Sequence, residues 1–130
     1  MKFAKWVFLI AGIYGLIVVL PIYFTEARTG HDYPPPITHP EYYYGFAGVT
    51  AAWQVLYLFM STNPIRYRPL MIPPMLAKTS FVVAVAILYL QQRAPGVIFG
   101  ASMVDLALVI LFIVAYLKTP VMTTSVPRSD

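Results

Sequence analysis

The sequence predicts an all-α integral membrane protein, a four-helix bundle with both chain ends on the cytoplasmic side. Three observations predict it. Of 130 residues, 59% are hydrophobic and only 11% are charged, and the mean hydropathy is +0.71. A soluble domain carries roughly 25% charged residues because its surface must face water. The apolar residues also fall in four blocks of about 20, the length that crosses a bilayer as a helix. Finally, the basic residues sort by side. With the N-terminus inside, Lys2, Lys5, Arg66, Arg68, Lys118 and Arg128 lie inside and only Arg28 and Arg93 outside. That is the bias toward positive cytoplasmic loops.

The first block runs from about Phe3 to Phe24, behind Lys2 and Lys5. It exceeds the apolar core of a usual signal peptide, so a retained helix is expected. Residues 25–41 form the outer loop. Pro34-Pro35-Pro36 and Pro40 lack N–H donors, so an extended, irregular segment on the membrane surface is expected there. The second helix spans about Tyr42 to Ser61 and ends at the turn Thr62-Asn63-Pro64. The third runs from about Leu70 to Leu90, with Pro73-Pro74 in its first turn, where missing donors are tolerated. Gln91 to Gly96 makes a tight hairpin, and the fourth helix spans about Val97 to Leu117. Residues 1–118 form one domain; the tail, 119–130, is expected to be disordered and cytoplasmic.

Two charges interrupt the blocks: Lys78 in the third helix and Asp105 in the fourth. Lys78 lies 14 residues before Gln92, the centre of the hairpin, and Asp105 lies 13 after it. At 1.5 Å per residue both sit roughly 20 Å from the hairpin, so antiparallel packing brings them level. A lone charge at that depth costs about 2.5 kcal/mol or more, which argues that two opposite charges there are paired. Lys78, Phe81 and Val85 share one stripe of the third helix, and Ala101, Asp105 and Leu108 one of the fourth. Gln54 lies 12 residues beyond Tyr42, at a similar depth, and Tyr14 lies 10 before Phe24. Tyr14, Gln54, Lys78 and Asp105 therefore form a candidate interior polar cluster, with Thr79 and Ser80 as supplements. Such a cluster either holds the helices in register or binds a proton, a head group or a small ligand.

Other signals are plainer. His31 and His39 accompany Asp32 and Glu41 in the outer loop, where a solvated segment without metal is expected. Gly96-xxx-Gly100 is expected to tighten the hairpin against the third helix, with self-association as the alternative. Gly12 and Gly15, like Gly45 and Gly48, read as packing notches, and Tyr42-Tyr43-Tyr44 as an interface anchor. The chain has no cysteine, which excludes disulfides, thiol chemistry and Cys-ligated metal. Scattered basic residues beside apolar blocks do not read as a nucleic-acid surface. No phosphate loop, Ser–His–Asp set or metalloprotease helix is present, and only five residues are acidic.

Ala52-Trp53-Gln54, the run Asn63-Pro64-Ile65-Arg66-Tyr67-Arg68-Pro69 and Lys78-Thr79-Ser80-Phe81 together resemble small bacterial four-helix membrane proteins of the DoxX-like group. The likeness covers about residues 42–118. It implies a four-helix bundle in the bacterial inner membrane. DoxX itself is associated with terminal oxidase and thiosulfate–quinone chemistry, and the resemblance carries over no catalytic residue. The expected function is that of a non-enzymatic accessory or scaffolding subunit in a larger membrane complex. The alternatives are a bundle that binds a quinone, lipid or other hydrophobic ligand at the polar cluster, and a small membrane enzyme of the lipid isomerase type. The expected partners are the lipid bilayer and other membrane subunits.

Overall fold

The computed structural model describes residues 2–122. Every regular element among them is helical: α1 (Lys2–Val19), α2 (Glu26–Asp32), α3 (Pro40–Thr62), α4 (Ile72–Leu90) and α5 (Gly96–Lys118). Two 3-10 segments, Leu20–Phe24 and Arg68–Met71, extend α1 and lead into α4. The four apolar blocks become α1, α3, α4 and α5. The tail beyond residue 122 lies outside the described residues.

Proline explains most departures from the expected boundaries. Pro21 has no N–H and its ring crowds the carbonyl four residues back, so the α-helix ends at Val19 and tightens into a 3-10 turn. The expected irregular loop is corrected: Glu26–Asp32 forms a short helix. The prolines constrain themselves and the residue before each, and Glu26–Asp32 ends before that run begins. Pro40 occupies the first turn of α3, where its missing donor costs nothing, so α3 begins two residues earlier than expected.

Three stretches are long and apolar enough to cross a membrane: Lys2–Phe24, Arg68–Leu90 and Gly96–Lys118. Helix α3 has the same length, 23 residues, but Glu41, the tyrosines, Gln54 and Thr62 lower its hydropathy, and it is not among the three. Only 17–22% of each span is buried, so their outward faces are apolar side chains such as Ile10, Ile17, Leu76, Ile87 and Ile110. Apolar surface on that scale suits hydrocarbon rather than water.

Helix α1 packs between α3 and α5, and α4 packs on α5. Helices α3 and α4 form no extended interface, so the bundle is closed on one side and parted on the other. Helices α1 and α3 approach closely at Gly12 and Gly15. A Cβ on Gly12 would lie 2.8 Å from Leu58 and 3.0 Å from the Gln54 carbonyl oxygen, and one on Gly15 would run into the Gln54 carboxamide. These two glycines are packing notches, as expected. Gly45, by contrast, faces open space.

The core lies toward the end of the bundle that holds Phe3 and Lys118, here called the terminal end. Phe8 stacks on Phe112 with ring centroids 4.6 Å apart, and Tyr57 meets Phe112 edge-on at 5.2 Å. Ala4, Ala11, Met60, Met71 and Ala115 fill the space around them. Such aromatic pairs contribute about 0.5–1.5 kcal/mol each beyond simple burial. At the same end the Arg68 Nε–H donates to the carbonyls of Thr119 (2.8 Å) and Tyr116 (3.2 Å), and its guanidinium lies 3.9 Å from the Tyr116 ring centroid. The last turn of a helix leaves carbonyls without partners, and Arg68 satisfies that of Tyr116 on α5 and that of the capping residue Thr119. Sequence reasoning read Arg68 only as a topological charge.

At the opposite, hairpin end, Gln92 takes a left-handed backbone (φ 59°). Arg93 N–H donates to Leu88 O at 2.8 Å and Gln92 N–H to Tyr89 O at 3.0 Å, the Schellman pattern that closes a helix C-terminus. Tyr89 stacks on Phe99 across the turn at 4.5 Å. That stack, not Gly96-xxx-Gly100, lies across the hairpin. Both glycines have nothing within 4 Å of a built Cβ, so the expectation that they tighten α5 against α4 is corrected. The buried face of α5 instead carries Ser102, Val109, Phe112 and Ala115.

Candidate functional site

Lys78 and Asp105 meet. The Lys78 Nζ donates to Asp105 Oδ1 at 3.0 Å, and the two side chains are 12% and 23% exposed. The pairing follows from adjacent antiparallel helices joined by a short hairpin. Phe81 lines the same cavity as the pair, and Val85 is buried on the same stripe of α4. On α5, Ala101 lines that cavity beside Asp105 while Leu108 packs against the core. The ammonium also lies 5.8 Å from the Tyr57 ring centroid. No hydrogen bond inside the protein, among the described residues, engages the second carboxylate oxygen of Asp105.

Gln54 is buried on α3, its side chain laid across Gly15, and its Nε2–H donates to Thr50 O at 3.1 Å. It lines the same cavity as the pair but shares no hydrogen bond with it. Tyr14 also lines the cavity, yet it is 41% exposed and makes no hydrogen bond to the other three. Thr79 and Ser80 do not join. Both are exposed, and the Ser80 hydroxyl donates to the Ala77 carbonyl of its own helix.

The residue that sequence reasoning missed is Tyr57. Its ring is buried at 2% exposure between Phe8, Phe112 and Lys78. No buried polar side-chain atom among the described residues lacks a partner, and the Tyr57 hydroxyl has none within the protein. That oxygen is therefore not sealed off, and Tyr57 is one of the residues that line the cavity. The signal was available: Gln54, Tyr57 and Ser61 fall at i, i+3 and i+7, one helical stripe, and all three are buried.

The cavity has a volume of about 280 Å³ and is lined by α1, α3, α4 and α5, of which α3 and α4 share no extended interface. Its walls are apolar, formed by Val18, Phe46, Trp53, Phe81 and Ile98, with Tyr14 beside them. Lys78, Asp105, Gln54, Thr50, Tyr14 and Tyr57 supply its polar groups. Apolar walls with a few convergent polar groups are the usual make-up of a site for a small organic molecule. The polar patch offers donors from an ammonium, acceptors from a carboxylate and an amide, and a hydroxyl that does both.

The segment between α1 and α3 is tied down separately. Tyr43 donates to Ile22 O at 2.8 Å and Tyr44 to Glu26 at 2.7 Å, so these tyrosines fix the α2 segment to α3; Tyr42 alone is largely exposed. His31 contacts Asp32 and His39 contacts Glu41, each at 3.3 Å and each exposed. No group of three His, Asp or Glu side chains that could hold a metal exists among the described residues. No family model, curated protein or solved structure matches this chain.

Proposed function

We propose that the protein spans the bacterial inner membrane four times, with both ends cytoplasmic, and holds a hydrophobic ligand from the bilayer in the cleft between α3 and α4. One observation carries the ligand reading: an ion pair stands in an apolar cavity that opens where two helices fail to pack. The second Asp105 oxygen has no hydrogen-bond partner among the described residues, and Asp105 lines a cavity that Tyr57 also lines. The four-span topology draws support from charge: Lys2, Lys5, Arg66, Arg68 and Lys118 gather at the terminal end, and Arg28 and Arg93 lie at the other. As the fourth span, α3 has sufficient length and turns Gln54 and Ser61 inward.

The test is purification in mild detergent, followed by solvent extraction and mass spectrometry of what accompanies the chain. A near-stoichiometric apolar molecule, lost from a Lys78→Met/Asp105→Leu variant, is the expected result. A ligand-free chain inside a larger assembly would overturn it in favour of the second reading, an accessory subunit. That reading has its own support in the unpacked, apolar face of α5 around Gly96 and Gly100.

A further inference from the structure

Resting on the reading of the cleft as a ligand site, the chemistry of its walls narrows the ligand. We propose that the cleft binds a neutral single-chain amphiphile whose hydroxyl head sits between Lys78 and Asp105.

Charge comes first. Lys78 and Asp105 neutralise each other at 3.0 Å, and no other ionised side chain lines the cavity. A phosphate or carboxylate head would bring a negative charge beside the Asp105 carboxylate, with Lys78 already committed. A quaternary amine would meet the Lys78 ammonium in the same way. Either head leaves a net charge away from water, which low-dielectric surroundings penalise heavily. A neutral head leaves the balance intact.

Hydrogen bonding then selects among neutral heads. An ammonium has three donors, and within the protein Lys78 uses one. Asp105 keeps a free oxygen that only accepts. A hydroxyl satisfies both at once, accepting from Lys78 and donating to Asp105. A ketone or ester carbonyl accepts only and leaves the carboxylate oxygen unsatisfied. Size limits the rest. At about 280 Å³ the cavity falls below the usual range of roughly 300–1,000 Å³ for drug-sized ligands. It takes a head and the start of one chain, and the parted helices let the remainder run out into lipid. The glycerol and second chain of a phospholipid would have to lie outside it.

Trp53 on the cavity wall supplies the assay. The chain has two tryptophans, and Trp6 lies exposed at the terminal end, so Trp6→Phe leaves Trp53 as the only reporter. The protein is placed in phosphatidylcholine nanodiscs and titrated with three alkyl ligands of equal chain length, brominated near the head: an alcohol, a methyl ketone and an alkyl phosphate. Bromine quenches tryptophan only at close range. The expected result is saturable quenching by the alcohol, reversed by the unbrominated alcohol. Binding of the alcohol should exceed that of the phosphate by about tenfold or more, with the ketone between them. An Asp105→Asn variant should invert the order, because Lys78 then faces the head alone. If the phosphate or ketone binds as well as the alcohol to the unaltered pair, the head-group assignment is wrong while the cleft remains a ligand site. If none of the three saturates, the ligand reading of the cleft fails as well. Should Asp105→Asn not fold, the three-ligand ranking still decides.

Discussion

Removing one member of the Lys78–Asp105 pair should cost more stability than removing both. Lys78→Met keeps side-chain volume and Asp105→Leu keeps the branching and heavy-atom number, so the dominant change is charge. Their side chains are 12% and 23% exposed, so either survivor is left mostly out of water. Breaking a buried pair from one side costs about 3–5 kcal/mol, and the open cleft places these variants near the lower figure. Loss of an interhelical hydrogen bond alone would cost only about 0.6–2 kcal/mol, so the stranded charge dominates. The double variant strands nothing and should lose about 1 kcal/mol or less, a coupling of several kcal/mol. On the entropy scale of a 130-residue domain, 3 kcal/mol corresponds to about 10 °C in Tm. The assay is thermal unfolding of both single variants and the double in one detergent, followed by tryptophan fluorescence. Single losses of about 10 °C beside a double within a few degrees of the parent are expected. Three losses that simply add would show that the charges do not compensate each other in the folded protein.

Four further outcomes follow from the packing. Gly15→Ala should destabilise by about 1–3 kcal/mol because its Cβ meets the Gln54 carboxamide, and adding Gln54→Ala should recover much of that; Gly100→Ala should be neutral or stabilising by up to about 1 kcal/mol, and a loss there would mean that its face is packed after all. Arg68→Lys retains the charge but loses the Nε–H and the planar stack on Tyr116, so it should cost about 1–2 kcal/mol in thermal unfolding; full retention of stability would dissolve the cap on α5. Gln92→Gly relieves a left-handed non-glycine residue and should raise stability by about 1 kcal/mol, and a fall in Tm would count against the strain argument.

What the sequence disclosed depended on whether one coordinate sufficed. Distance along a helix gives depth, and depth alone made Lys78 and Asp105 level, because a short hairpin fixes both helices to a common origin. Direction around the axis needs a neighbour. Tyr14 has suitable depth, but α1 is turned by Gly12 and Gly15 settling onto Leu58 and Gln54, and that rotation leaves Tyr14 partly exposed. Gly96 and Gly100 misled for the same reason, since the motif specifies a flat face without saying what lies opposite. Tyr57 was legible as a stripe with Gln54 and Ser61 but was passed over as one aromatic among many. Arg68 was not legible at all, since its carbonyl partners lie about fifty residues away in the chain. The cavity itself arises from a contact that α3 and α4 do not make, and no pattern of residues announces a missing contact.

The uneven distribution of contacts also has a mechanical meaning. At the terminal end Phe8, Tyr57 and Phe112 bind the α1–α3 pair to α5, and Phe3 lies 4.7 Å under the Lys118 ammonium. At the hairpin end the hydrogen bonds of Tyr43 and Tyr44 stay within the first pair, and the Tyr89–Phe99 stack stays within the second. The molecule is built like tongs, riveted at one end with its jaws unlinked at the other. The aromatic contacts that join the two helix pairs therefore all lie at the rivet, away from the jaw ends.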